Sequence, residues 1–280
     1  MESFAPSVVS AFRGGGMNFL QQALDFIFTA ANWGGPAGLA ARIVEHLQYT
    51  VVAVLASAVI AIPVGLIIGH TGRGTFLVVT GVNALRALPT LGVLLLGVLL
   101  WGLGLVPPTV ALMLLGIPPL LAGTYAGIAN VDPAVVDAAR SMGMTERRVL
   151  FGVEVPNALP LIVGGLRTAT LQIVATATVA AYASLGGLGR YLIDGIKVRQ
   201  FHIALVGALM VTALALILDA ALAFAVWLSV PGSGRLRGRR RIPQPLLGDE
   251  MALESRAASP AAGSSGLGYE RRASSHTVEG

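Results

Sequence analysis

Long apolar runs are the feature of this sequence that most restricts its fold. The hydrocarbon core of a bilayer is about 30 Å thick, and a helix needs about 20 mostly apolar residues to cross it. Five runs reach this length: Leu47–Gly69, Thr75–Gly104, Thr109–Ala129, Asn157–Ala183 and Ile203–Ser229. We therefore predict an all-α membrane protein with about five transmembrane helices.

Composition supports this fold class and removes several functions. Hydrophobic residues make up 55% of the 280 residues and charged residues 12%, with a mean hydropathy of +0.76. The net charge of +5 does not indicate nucleic-acid binding, because eight arginines lie in the terminal stretch 231–280. Cysteine is absent, the four histidines are far apart, and no H-E-x-x-H or G-x-S-x-G motif occurs. We predict no catalytic, cofactor or metal site in this chain.

Prolines inside the runs predict interruptions of the helices. Pro89 lies in the long second run and lacks the backbone N–H that a helix needs, so a kink or break is expected there. Pro63 with Gly65, and the pair Pro118 and Pro119, predict bends in the first and third spans. Such breaks are tolerated at membrane depth where protein or water surrounds them.

Basic residues predict the orientation, since they are enriched in cytoplasmic loops. One side of the predicted bundle carries nine: Arg73, Arg140, Arg147, Arg148, Arg235, Arg237, Arg239, Arg240 and Arg241. The other side carries four: Arg42, Arg190, Lys197 and Arg199. The first side is therefore predicted to be cytoplasmic, with the N-terminus outside and the C-terminus inside.

The segments that flank the spans complete the expected organisation. Residues Asn18–Trp33 predict an interfacial helix, because apolar side chains recur at helical spacing. Residues 1–16 show no structural pattern, so Met17 is a candidate start besides Met1. We expect an N-terminal extension (1–45), a transmembrane domain (46–230) with a cytoplasmic loop (130–156), and a disordered cytoplasmic tail (231–280).

The cytoplasmic loop 130–156 predicts a helix-turn-helix elbow. Asp132 is a suitable N-cap and Pro133 a suitable first helical residue, so a helix is expected over Ala134–Met142. Gly143 allows a turn into a second short helix, Thr145–Phe151. Ala138 and Ala139 keep one side thin, and five apolar residues would make contacts away from water: Val135, Val136, Met142, Met144 and Phe151. The elbow either docks into a partner's groove or packs under its own bundle.

Spacing within this loop resembles the EAA loop of permease subunits in bacterial binding-protein-dependent ABC importers. The pattern is Asp137-Ala138-Ala139, three residues, Gly143, nine residues, then Val153-x-Val155-Pro156. Asp replaces the usual Glu, and Val the usual Ile and Leu. The resemblance extends from about His46 to Trp227 through NVDPA, AARSMGM, GLRTAT and GGLG. It is similar to the osmoprotectant branch, which imports glycine betaine, choline, carnitine and related quaternary amines.

The resemblance implies the type I ABC importer permease fold and a set of partners. Two permease subunits, identical or paralogous, would form the pathway in the bacterial cytoplasmic membrane. Two separate ATPase subunits would bind ATP and Mg²⁺, and an extracytoplasmic binding protein would deliver substrate. Asp137 is the candidate charged contact to the ATPase, with Ala138 and Ala139 permitting close approach, Gly143 forming the elbow and Pro156 closing the motif. The sequence contains no G-x-x-x-x-G-K-[ST] phosphate loop.

Other functions remain open at this stage. Within importers, the alternative is a permease for methionine or another small solute. Outside that class, an ATP-independent secondary transporter would need no elbow, and a membrane enzyme would need clustered catalytic groups.

Charged and polar residues inside the spans are further candidates. Arg86, Arg167 and Asp219 lie about 15 Å deep, where charges usually face partners or water. They predict either a site along the pathway or an Arg–Asp clamp between helices. Thr168, Gln172 and Thr176 share a helix face that would line the pathway or permit close packing. Near the outer end, Gly186, Gly187 and Gly189 are consistent with a gate or with a flexible linker.

Overall fold

Helices make up nearly all of the described chain. The computed structural model of the protein describes residues 18–230, and no strand occurs in that range. The candidate start at Met17 and the predicted tail 231–280 lie outside the described residues. The helices are α1 (residues 18–28), α2 (Leu39–Thr71), α3 (Thr75–Ala87), α4 (Thr90–Trp101), α5 (Val106–Ala129), α6 (Pro133–Ser141), α7 (Glu146–Val149), α8 (Val155–Thr176), α9 (Gly189–Lys197) and α10 (Phe201–Ser229).

Four crossings are supported by helix length and hydropathy, and a fifth if one bent helix pair counts as a single span. Helices α2, α5 and α10 and the continuous helical run Glu146–Ala183 are each long and apolar enough to span a bilayer. Helices α3 and α4 are the bent pair, with an angle of 80° between Thr80–Ala87 and Thr90–Trp101. Pro89 lies at this break, and Leu88 before it has an extended backbone, as a residue preceding proline prefers. The predicted spans and the break at Pro89 are confirmed.

The other prolines do not interrupt their helices. Pro63 lies inside α2, and Pro118 and Pro119 lie inside α5, and both helices continue through them. Helix α2 begins at Leu39, eight residues before the predicted start of the first span. The expected domain boundary between residues 45 and 46 was therefore wrong, because it falls inside this helix.

Helix α5 lies at the centre of the bundle, where small residues let its neighbours approach. It packs between α2 and α8 and also contacts α4. A Cβ atom on Gly65 of α2 would lie 2.7 Å from the Thr124 Cβ. A Cβ atom on Gly123 would lie 2.7 Å from the Cα of Gly165 in α8. Close helix packing through small residues is the usual way to bury helices against each other in a membrane.

The predicted interfacial helix is shorter than expected and is partly packed. Helix α1 ends at residue 28, and a 3-10 turn follows over Ala30–Trp33, fixed by a hydrogen bond of 2.7 Å from the Trp33 indole to the Ile27 carbonyl. Ala23 is fully buried in a cluster with Leu39 and Val206. Exposed apolar side chains remain on α1, with Phe28 81% exposed.

Candidate functional site

The elbow after α5 forms as its local sequence predicts. Asp132 caps α6 by accepting a hydrogen bond of 2.9 Å from the Ala134 amide, and Pro133 occupies the first turn. Gly143 has a φ of +80°, a left-handed conformation that favours glycine. A Cβ atom at Gly143 would meet nothing within 4 Å, so this glycine is required by backbone conformation and not by space. The predicted first arm and turn are confirmed.

The second arm differs from the prediction of a separate short helix ending at Phe151. Helix α7 continues through a π-helical segment, Leu150–Glu154, directly into α8. The helical run extends without a break from Glu146 to Ala183. The second arm is therefore the stem of the fourth span, so a displacement of the elbow acts directly on a membrane-crossing helix.

A small apolar core holds the two arms together. Val136, Ala139 and Val149 are buried against one another, with Met144 and Val153 packed around them. Ala139 is 2% exposed, so its small size brings the arms of this chain together. Ala138 lies on the exposed side of the elbow, so of the two alanines it is the one that a partner could approach.

Charged side chains reinforce the elbow. The Arg140 guanidinium donates to both carboxylate oxygens of Glu146, at 3.1 and 3.2 Å. This hydrogen bonding raises the pKa of Arg140 above its usual value. Asp137 makes only a loose contact of 3.7 Å with Arg140, and its side chain is 74% exposed. The carboxylate of Asp137 is therefore free to meet another molecule.

The outer surface of the elbow combines this carboxylate with apolar groups. Val135, Met142 and Phe151 are 46%, 76% and 61% exposed. Pro156 lies in the exposed first turn of α8. One face of the elbow packs within this chain and the other is uncovered, so docking into a partner's groove stays a prediction.

A histidine that the sequence reading left without a role joins the elbow to α2. His70 Nδ1 lies 2.6 Å from Glu154 Oε2 in the π-helical segment. His70 Nε2 lies 3.1 Å from Glu146 Oε2 in α7. Glu154 is 5% exposed, and a buried carboxylate of this kind requires a partner. The available signal was a lone acidic residue between Val153 and Val155 in an otherwise apolar stretch.

Two of the three intramembrane charges pair with each other. Arg167 Nε donates to Asp219 Oδ1 at 2.6 Å, and its terminal nitrogen donates to Oδ2 at 2.8 Å. This two-pronged contact joins α8 to α10 and has the planar geometry in which arginine binds carboxylates best. Arg86 does not take part, since it is exposed in the last turn of α3.

The polar stripe on α8 faces away from the packed side of that helix. Thr168 and Gln172 are exposed and Thr176 is half-buried. Ala169 and Ile173, which follow Thr168 and Gln172 in the sequence, are fully buried. Thr168 and Gln172 therefore lie beside the packed face of α8 and are uncovered in this chain.

The glycine-rich turn at the opposite end is held in place by α2. Gly187 has a φ of +78°, and its amide donates to Glu45 Oε2 at 2.6 Å. Arg42 holds the same carboxylate oxygen at 2.9 Å. Gly189 begins α9, and a Cβ atom there would lie 2.2 Å from the Thr178 carbonyl oxygen. The glycines thus lie in a turn that contacts α2 and leads into α9. The sequence analysis missed α9, because its nine residues were interpreted as a loop.

The architecture defines a class of protein. The helical bundle contains four crossings and a bent helix pair, and the elbow continues directly into the crossing Glu146–Ala183. This bundle is similar in fold to solved transporter chains. A chain of the inward-facing MetNI methionine ABC transporter matches with a TM-score of 0.62 and 21% identity, over 69% of this chain and 96% of that chain. This likeness establishes the fold: a type I ABC permease.

Sequence comparison defines the family. The chain belongs to the family of binding-protein-dependent transport system inner membrane components, whose model matches residues 61–226. The glycine betaine/carnitine/choline transport system permease protein OpuCB of Bacillus subtilis is 36% identical over 64% of this chain and 82% of the relative. The choline transport system permease protein OpuBB of the same organism is 34% identical over 65% and 83%. The osmoprotectant import permease protein OsmW of Salmonella typhimurium is 33% identical over 65% and 86%.

Proposed function

We propose that this chain is the permease subunit of an ATP-driven importer for quaternary-amine osmoprotectants such as glycine betaine, choline or carnitine. The observation that carries the proposal is the similarity to osmoprotectant permeases over more than four fifths of their length. The likeness to a methionine transporter is only 21% in sequence and concerns the fold. Quaternary amines are therefore favoured over methionine as the substrate class.

The elbow is the proposed point of coupling to a separate ATPase. Its uncovered face offers apolar side chains around the free carboxylate of Asp137, a surface suited to docking in a groove. The stem of the fourth span begins at the elbow, so docking there would transmit movement to the helices as a rigid-body transition. ATP and Mg²⁺ would be bound by the ATPase, and this chain would have no enzymatic activity of its own.

The proposed complete transporter contains two permease subunits, two ATPase subunits and an extracytoplasmic binding protein. The second permease is identical or paralogous. In this assembly Gly186, Gly187 and Gly189 lie at the outer end of the bundle, where they would act as a gate. Thr168, Gln172 and Thr176, with Arg86, are the candidates for lining the pathway.

Uptake measurements test the substrate class. The chain is expressed with its ATPase and binding protein in a strain that lacks its own osmoprotectant uptake. We expect accumulation of radiolabelled glycine betaine or choline that stops when ATP is depleted and that methionine does not compete. Uptake of methionine would contradict the proposal and favour a methionine permease. Uptake that survives ATP depletion would contradict it and favour an ATP-independent secondary transporter.

A matched pair of charge reversals tests the docking surface. Asp137→Lys should release the ATPase during purification of the complex, because it reverses the charge at the proposed contact. Asp194→Lys is the control, since Asp194 lies in α9 at the opposite end of the bundle. Equal retention of the ATPase by both variants would rule out a docking role for Asp137.

A further inference from the structure

His70 is the point at which the elbow meets a helix other than its own stem. It lies in the last turn of α2, and its side chain is 13% exposed. Nδ1 faces Glu154 at 2.6 Å, and Nε2 faces Glu146 at 3.1 Å. One imidazole therefore contacts the second arm at two places, Glu146 in α7 and Glu154 in the π-helical segment.

The contact continues to the first arm. Glu146, which faces His70, also accepts two hydrogen bonds from Arg140 of α6. A chain of polar side-chain contacts thus runs from Arg140 in α6 through Glu146 in α7 to His70 at the end of α2. Side-chain contacts therefore connect both arms of the elbow to α2, the first membrane-crossing helix. The backbone connects the second arm directly to the fourth membrane-crossing helix.

The backbone at Glu154 is adapted to this contact. The helix widens into a π-helical segment over Leu150–Glu154, and Glu154 is its last residue. Single π-helical turns are rare in proteins overall, and those that occur are frequently found at functional sites. Glu154 is the only Asp, Glu, Lys or Arg side chain that is buried in the described chain. A buried carboxylate is costly without a hydrogen-bonding partner, so loss of the His70 contact would leave Glu154 without one.

We propose that His70 is a positioning residue that makes α2 move as one body with the elbow, so that loss of the contact separates ATP hydrolysis from transport. This inference rests on the proposed coupling of the elbow to an ATPase. Through the stem, the elbow would drive the fourth span, and through His70 it would drive the first. The two helices flank α5, so moving them together shifts both sides of the central helix.

Uptake and ATP hydrolysis, measured together in the reconstituted transporter, test the inference. His70→Leu should lower glycine betaine uptake about tenfold, within the range typical of coupling between sites, and leave ATP hydrolysis nearly unchanged. The exchange His70→Glu with Glu154→His should restore part of the ratio of uptake to hydrolysis. His202→Leu, at the opposite end of the bundle, is the matched control. An unchanged ratio in surviving His70→Leu complexes would show a purely structural role and overturn the proposal.

Distance measurements test the same idea in the unmodified contact. The sequence has no cysteine, so spin labels at Thr71→Cys and Met142→Cys report directly on the end of α2 and the elbow. Their separation should stay constant between the nucleotide-free and vanadate-trapped transporter, and should vary once His70→Leu is added. A separation that changes in the chain with His70 intact overturns the proposal. These distances do not depend on the solute, so a transporter that ignores glycine betaine would contradict the proposed substrate class alone.

Discussion

At the scale of single residues, backbone conformation and charge pairing matter more than space. Gly143 is needed although nothing crowds it, because its φ of +80° is left-handed. Arg167 and Asp219 matter because each is the ion-pair partner of the other, in a bundle with few charged residues. Such positions respond to substitution in ways that side-chain size does not predict.

Replacement of Gly143 separates conformation from bulk. Gly143→Val should abolish uptake while the chain still inserts, because a β-branched residue resists the left-handed region, which costs about 1–2 kcal/mol for ordinary residues. Gly143→Asn should retain most of the uptake, since Asn tolerates this conformation. Uptake normalised to membrane abundance is the measurement. Equal activity of both variants would show that the turn does not shape the elbow.

Neutralisation of the Arg167–Asp219 pair distinguishes a clamp from a pathway site. Asp219→Asn leaves Arg167 without its carboxylate and should lower membrane abundance several-fold. Adding Arg167→Gln should recover part of the folded protein, because no single charge is left alone. Abundance and uptake are measured for both single variants and the double variant, since coupling appears as non-additivity. Strictly additive losses would refute the clamp, and normal abundance without uptake in the double variant would indicate the pathway.

At the scale of elements, helix contacts made by glycine define the bundle. Gly123 and Gly165 bring the backbones of α5 and α8 together, so a methyl group at either would meet main-chain atoms that cannot easily move. The adjacent Gly164 faces open space. Neighbouring glycines on one helix therefore carry different structural demands.

Alanine at these positions should reveal that difference. Gly123→Ala should destabilise the chain by about 1–3 kcal/mol, the usual cost of overpacking, because its Cβ would lie 2.8 Å from the Leu161 carbonyl oxygen. Gly164→Ala should be neutral or slightly stabilising, since alanine favours helix. Thermal stability of the purified transporter is the measurement. Similar melting of both variants would mean that α5 and α8 are less closely packed than the structure has them.

At the scale of the whole molecule, the two ends of α2 contact two different sites. Glu45 holds the glycine-rich turn and His70 holds the elbow. The two residues are about 38 Å apart along the helix at 1.5 Å per residue. That length exceeds the bilayer core, so the turn and the elbow lie on opposite sides of a membrane.

Labelling from each side of the membrane tests the predicted orientation. Single cysteines at Met142 in the elbow and at Lys197 at the end of α9 occupy exposed positions at opposite ends. In intact cells, an impermeant maleimide should label Lys197→Cys and leave Met142→Cys unmodified, because basic residues predict a cytoplasmic elbow. Membrane permeabilisation should then expose Met142→Cys. Labelling of Met142→Cys in intact cells would reverse the orientation.

Features that depend on local chemistry could be predicted from the sequence alone. The crossings α2, α5 and α10 follow from run length, the break before α4 from Pro89, and the start of α6 from the cap at Asp132, because each signal lies within the element that it shapes. The turn at Gly143 could also be predicted, because the glycine that permits the left-handed conformation lies in the turn itself.

Contacts between residues that are distant in the sequence depend on how the helices pack. His70 and Glu154 are 84 positions apart, and Glu45 and Gly187 are 142 apart, so no spacing in the sequence marks either contact. The burial of Ala139 within the elbow and the continuity of α7 with α8 likewise depend on what packs alongside them. Local sequence propensity predicts where helices and turns form. Tertiary packing determines which face of a helix is buried and which charged residues pair.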